Sequence, residues 1–250
     1  MNLRAISSAT WAGKIVRLPL SLIPRDAVLP ILQGRLRGQH WIVGSALHRC
    51  WMGFYEFDKQ QLIASVVQPE TVFYDVGANV GFYSLLAALL VGARGRVFAF
   101  EPLPRNLAYL KRHLALNRVA NVETVELAIG EQDGVASFAA ESTGLMGHLS
   151  GAGAHAGTLS VPVATLDALL DGGKLVPPDY IKMDIEGAEL SALRGARNCI
   201  QRHRPLIFLA THGRDVHTAC CRLLESWEYE CRELGSPAAD GCGEVVARPS

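Results

Sequence analysis

From Thr71 onward, short β-branched or aromatic runs alternate with longer stretches whose apolar residues recur every three or four positions. A chain that repeats this pattern builds βα units on a mainly parallel sheet covered by helices. The spacing predicts strands over Val72–Asp75, Arg96–Phe100, Val122–Leu127, Tyr180–Met183 and Leu206–Ala210. It predicts helices over Phe82–Leu90, Arg105–Leu116, Ala188–Ala196 and Asp215–Ser226. Beyond them, Tyr229–Leu234 and Glu244–Ala247 lie too close together for a crossover helix, so they form an antiparallel pair. The expected fold is α/β, doubly wound, with an antiparallel C-terminal strand.

Residues 1–66 fall outside this rhythm and read as an N-terminal extension with helical pieces and a hairpin around Gly38–Gly44, packed on the core domain of residues 67–250. The stretch 139–157 is small and Gly-rich, the material of a mobile loop, with Ser142, Thr143 and His148 placed to close over a site. Lys plus Arg equals Asp plus Glu at 24 each, which offers no electrostatic case for nucleic acid. Six cysteines show no metal-ligand spacing and no signal peptide precedes them, so reduced thiols in a cytoplasmic protein are expected. Charges and prolines break the apolar stretch around Ile15 to Leu32, which excludes an ordinary membrane span. Basic residues nearby leave peripheral membrane contact as a minor reading, and oligomeric state is not readable.

The chemistry concentrates first at VFYDVGANVGFYS, residues 72–84, where a strand ends in Asp75 and a glycine turn opens into a helix. No Gly-Lys-Ser/Thr follows, which excludes a Walker loop. Asn79 and Phe82 stand where a dinucleotide fingerprint needs its second and third glycines, which disfavours a nicotinamide-dependent oxidoreductase. A carboxylate at Asp75 would repel a pyrophosphate and suits a ligand with a cationic group. S-adenosyl-L-methionine is such a ligand: its ammonium and sulfonium are positive, and its carboxylate can meet the turn amides. Glu101 ends the next strand, 20 residues beyond Gly81, and is placed to accept from ribose hydroxyls.

DVGANVGFYSLL, FAFEPLPRNLAYLKRHLALN, LAIG, TLDALL and YIKMDIEGAELSALRGA, in this order, resemble the FkbM-type family of S-adenosylmethionine-dependent methyltransferases over roughly Trp41 to Glu233. The resemblance implies a class I methyltransferase (Rossmann-like) fold. It also implies transfer to a hydroxyl of a sugar, glycolipid or secondary metabolite, so the expected partner is a small-molecule or glycan acceptor. By position, Asp75, Gly77, Asn79 and Gly81 would hold the methionine end, Glu101 the ribose, and Ala128-Ile129-Gly130 the adenine. Asn106 and Asn117 read as helix-ordering residues.

Methyl transfer to an alcohol needs alignment and a group that takes the hydroxyl proton. Asp184 ends the fourth strand, with Glu186 two residues on, and His212 follows the fifth. All three are expected at the carboxyl edge where doubly wound sheets bind ligands. Asp184 is a candidate for both cofactor and acceptor, and Glu186 could instead serve a helix dipole. His212 is expected to act as general base or to orient the acceptor. Where the family carries Glu two residues before this histidine the chain has Ala210, so no metal ligands are assigned. Trp51, Tyr55 and Glu56 offer aromatic faces and a carboxylate for a carbohydrate, or an apolar plug on the sheet. A non-catalytic S-adenosylmethionine-binding scaffold is the alternative, disfavoured by the intact acids.

Overall fold

The computed structural model describes residues 20, 22–140, 147–150, 158–235 and 243–250, so Ser142 and Thr143 lie outside the described residues. The chain forms two compact units, Met1–Phe57 and Asp58–Ser250. In the first, β1 (Val28–Pro30) and β2 (His40–Ile42) pair antiparallel with Leu29 opposite Trp41. A short helix, α1 (His48–Trp51), follows. Ile31, Leu36, Trp41 and Trp51 are buried. The connection between these two strands includes Gly34 and Gly38, both at positive φ.

The second unit takes in nearly all of α2 (Phe57–Val66), a helix the sequence reading had assigned to the extension. Its βα units follow as β3 (Val72–Val76), α3 (Phe82–Val91), β4 (Arg96–Phe100), α4 (Pro104–Leu116) and β5 (Val122–Val125). Then come β6 (Ala128–Ile129), β7 (Gly134–Ala140), β8 (Gly147–Ser150), β9 (Thr158–Ala164) and α5 (Leu166–Asp171). The chain closes with β10 (Tyr180–Met183), α6 (Glu189–Arg194), α7 (Arg197–His203), β11 (Leu206–Thr211), α8 (Arg214–Glu225), β12 (Tyr229–Glu233) and β13 (Gly243–Pro249).

Among the described residues, seven strands form the main sheet in the order β12-β13-β11-β10-β3-β4-β5. The strands from β11 to β5 are parallel, and β13 runs antiparallel between β11 and β12. The two central strands, β10 and β3, are covered on both faces, as parallel strands are. Tyr74, Phe98, Phe100, Ile181, Met183, Ile207 and Leu209 fill one core cluster. Strand order therefore reverses at β3, which places the carboxyl ends of β3 and β10 beside a topological switch point.

Two features depart from the sequence reading. A second sheet of order β6-β9-β7-β8 takes in Ala139, Ala140 and Gly147–Ser150 of the stretch read as a loop, whose other residues lie outside the described ones. Small side chains in β7 (GVASFAA) give little apolar contrast, which hid its periodicity. The helix expected over Ala188–Ala196 is α6, which ends at Gly195, where a Cβ would overlap the Gly130 carbonyl, and a further helix, α7, follows that the spacing did not predict. Asp167 restarts the helix by accepting from Asn198 and Cys199 N–H at 2.9 and 2.7 Å.

Among the described residues, no helix is long and apolar enough to cross a membrane. Cys50, Cys199, Cys220, Cys221 and Cys231 are free thiols, and Cys220 is fully buried, a packing residue.

Candidate functional site

The glycine turn is shaped by what lies against it. Gly77 adopts φ +77° and a Cβ there would overlap the carbonyl oxygen of Asp184, so only glycine lets the turn after β3 lie on the end of β10. Gly81, at φ +92°, likewise has no room beside Leu110. The turn amides are engaged within the protein: Gly77 and Ala78 N–H donate to the Phe100 carbonyl at 3.0 and 2.9 Å, and Gly81 N–H to the Ala78 carbonyl at 2.9 Å. Asn79 N–H donates to Glu101 Oε2 at 2.8 Å. Gly77, Asn79 and Gly81 set the shape of the turn through positive φ.

Asp75 is fully buried and faces Lys182, its register partner on β10, at 3.2 Å. Its other oxygen accepts from Ser84 Oγ at 2.7 Å. An internal lysine thus gives Asp75 a counter-charge. Lys182 Nζ also donates to the Gly77 carbonyl at 3.0 Å and lies 3.9 Å from Asp184 Oδ2. One buried ammonium therefore links the glycine turn to the acidic end of β10. Sequence reasoning missed this residue, although a lysine inside the otherwise apolar strand YIKM marks a buried charge that must be paired.

Glu101, 4% exposed, accepts from Leu103 N–H (3.0 Å) and Asn106 Nδ2 (3.3 Å) through Oε1, besides the Asn79 amide at Oε2. Burial pushes its carboxyl upward, opposed by these hydrogen bonds and by the Lys182 charge. An ionised carboxylate offers about four acceptor positions, and these donors fill three of them. Asn106 is buried and orders this carboxylate, and Asn117 closes α4 by donating to the His113 carbonyl at 2.8 Å.

The acids of the fourth strand meet the histidine of the fifth. His212 Nε2 lies 3.7 Å from Asp184 Oδ1 and 3.4 Å from Glu186 Oε2, all three side chains being about a quarter exposed. Its Nδ1 is hydrogen-bonded to Glu189 Oε1 at 2.8 Å. Glu189, which sequence reasoning did not single out, is fully buried and also accepts from Ile185 and Gly187 N–H at 3.3 and 3.0 Å. It opens α6, so the first-turn role considered for Glu186 belongs to Glu189. Glu186 lies before the helix in a left-handed conformation at φ +54°, uncommon for a residue with a side chain. The hydrogen bond to Glu189 raises His212 to about 9 against the opposing effect of burial, with the charges of Glu186, Glu189 and Asp184 adding to it. Three carboxylates thus surround the imidazole and favour positive charge at this corner.

Other candidates are placed elsewhere. Ala128 and Ile129 are buried in β6, paired with Val163 and Ala164 of β9, so their side chains serve packing and only their backbone is left for recognition. Trp51 belongs to the first unit, buried with its indole N–H donating to His48 Nδ1 at 3.0 Å. In the same unit Arg49 stacks over the Tyr55 ring at 5.0 Å, and Glu56 takes φ +43°.

Among curated proteins, the chain is 26% identical over 146 residues to the hexuronic acid methyltransferase AglP of Haloferax volcanii, covering 58% of each. It is 27% identical over 104 residues to a protein-L-isoaspartate O-methyltransferase of Caenorhabditis elegans, covering 42% of this chain and 44% of that protein. The chain thus spans about half the length of the curated relatives it matches. Among solved structures, a candidate O-methyltransferase from Klebsiella pneumoniae superposes with TM-score 0.50 at 13% identity, covering 77% of this chain and 78% of that one. A candidate transferase from Pyrococcus horikoshii gives TM-score 0.50 at 13% identity over 94% and 80%. The family model for the methyltransferase FkbM domain matches residues 75–231, the span from the buried Asp75 through the acidic corner to β12. The chain belongs to the FkbM methyltransferase family, with the class I α/β fold and S-adenosylmethionine as its methyl donor.

Proposed function

We propose that this methyltransferase acts on oxygen, transferring a methyl group to a hydroxyl of a glycan or related small acceptor. The observation that carries the reading is the convergence of Asp184, Glu186 and His212 beside the glycine turn. S-adenosylmethionine, when bound, supplies an electrophilic methyl on a sulfonium. Glu101 would hold its ribose through the remaining acceptor position, and the stretch from Gly77 to Gly81 would shape the space for its methionine end. Asp75 acts on this site indirectly, through Lys182 and Ser84. Asp184 and Glu186 present carboxylate oxygens that accept from the incoming hydroxyl and take its proton as the oxygen attacks, a role that contributes on the order of 10²–10⁴-fold to rate. His212, fixed by Glu189, holds these two acids together. Similarity to a hexuronic acid methyltransferase favours a sugar acid or its glycan as the first acceptor to try.

The test is transfer of radiolabelled methyl from S-adenosylmethionine to a panel of hexuronic acids, neutral sugars and their glycolipids. Label that survives mild alkali is an ether on a hydroxyl and supports the reading. Label released by alkali is an ester on a carboxylate and overturns it, as does cofactor binding with no transfer to any acceptor in the panel.

A further inference from the structure

His212 treats its two ring nitrogens differently. Nδ1 makes a close hydrogen bond of 2.8 Å to Glu189 Oε1. Nε2 stands back, 3.4 Å from Glu186 Oε2 and 3.7 Å from Asp184 Oδ1. One ligand atom from each of Asp184, Glu186 and His212 lies within 4.8 Å of the other two. Ligand bonds of about 2.0–2.4 Å hold adjacent donor atoms roughly 3–4 Å apart around a tetrahedral or octahedral ion. Both measured edges fall in that range.

Glu189 supplies the second, independent observation. It is fully buried, and its Oε2 has no hydrogen-bond partner among the described residues. Its Oε1 is fixed by the Ile185 and Gly187 amides as well as by the imidazole. A buried carboxylate bonded to the far nitrogen of a histidine is the outer partner that metal-ligating histidines use to fix their orientation and raise their basicity. Asp184 divides its oxygens in a compatible way, with Oδ2 toward Lys182 at 3.9 Å and Oδ1 toward the imidazole. Lys182 is already shared with Asp75, leaving three carboxylates around one imidazole.

We propose that Asp184, Glu186 and His212 form a divalent cation site, with Glu189 as its outer carboxylate. One nitrogen and two carboxylate oxygens suit a first-row ion such as Mn²⁺ or Zn²⁺ better than Ca²⁺. Three protein ligands leave positions open for other oxygens. That these would come from the acceptor hydroxyl rests on the oxygen-transfer reading above, whereas binding of the ion does not.

The experiment is a titration of the full chain with Mn²⁺, followed by loss of the free-ion electron paramagnetic resonance signal, with neither S-adenosylmethionine nor acceptor present. One saturable site per chain is expected. Asp184→Asn, Glu186→Gln and His212→Ala should each weaken it at least tenfold, and Glu189→Gln by about 10–100-fold. Circular dichroism checks that each variant is folded. Should a buried change fail to fold, the partly exposed Glu186→Gln decides the matter. Absence of a saturable site for both Mn²⁺ and Zn²⁺, or a site unchanged in Glu186→Gln, overturns the proposal. Because the titration needs no turnover, its failure is separable from failure of the methyl-transfer assay.

Discussion

Lys182 and Asp75 occupy matching positions on β10 and β3 and meet at 3.2 Å with almost no exposure to solvent. Removing one partner of such a pair leaves a buried charge without compensation, at a cost of about 3–5 kcal/mol. Asp75→Ala and Lys182→Ala are each expected to lower unfolding free energy by this amount in urea denaturation. The double change Asp75→Leu with Lys182→Met should recover most of it. Single variants within about 1 kcal/mol of the wild type, too little for a buried unpaired charge, would refute the assignment.

Glu101 joins the glycine turn to the start of α4 through the amides of Asn79 and Leu103. Glu101→Ala strands both amides, at about 1–3 kcal/mol each, and removes the acceptor assigned to ribose. Affinity for S-adenosylmethionine by calorimetry should fall at least tenfold, with a smaller fall for Glu101→Gln. Unchanged affinity in Glu101→Ala would remove the ribose assignment.

His113 is fully buried on α4, with Nδ1–H donating to the Val80 carbonyl at 2.7 Å. Burial lowers it from 6.5 to about 4, against the opposing effect of that hydrogen bond. The unfolded chain therefore binds more protons between these values, so the contribution is complete above about pH 6.5 and is lost as pH falls toward 4. The loss amounts to about 3 kcal/mol across that window. His113→Phe should flatten stability against pH in denaturation series at pH 7, 6, 5 and 4.5. Parallel curves for the two proteins would contradict the assignment.

The oxygen-transfer reading places the hydroxyl against Asp184 and Glu186. In Asp184→Asn, turnover should fall about 10²-fold or more. Affinity for S-adenosylmethionine should stay within about threefold, since Asp184 is given the acceptor role. The comparison of kcat with calorimetric affinity checks this, and near-normal turnover would rule the role out.

Cys50, Cys199 and Cys220 are buried, and burial pushes each thiol to about 12. None should react with a disulfide reagent at pH 8 in the native chain, and all should react on unfolding. Mass spectrometry of labelled peptides identifies them, and rapid native labelling of Cys220 would contradict its packing.

The central sheet was legible because strands covered on both faces read as short, nearly continuous apolar runs. The C-terminal antiparallel pair was legible from the brevity of its connection. What escaped depended on partners distant in sequence. The break at Gly195 answers the Gly130 carbonyl, far upstream. In the second sheet, β7 is made largely of small residues whose alternation carries little contrast. At the site, Asp184, Glu186 and His212 were recognisable as strand-end groups, and the structure gathers them. Glu189 was hidden inside an apparently continuous helix, and its role depends on a histidine 23 residues later. Asp75 was legible as a charge needing an opposite charge, but sequence could not tell an internal ammonium from a ligand's.

The close seating of Gly77 on the Asp184 carbonyl, with the Asp184 amide bonded to the Val76 carbonyl at 3.1 Å and Lys182 to that of Gly77, has a kinetic consequence. The floor proposed for the methyl donor and the wall proposed for its acceptor are thus joined through backbone hydrogen bonds and a buried ammonium. No hinge can open between them without breaking backbone hydrogen bonds and exposing a buried ammonium. On the proposed placement, acceptor entry and product release use segments outside this joint, and a glycine-to-alanine change at position 77 should spoil alignment on both sides at once.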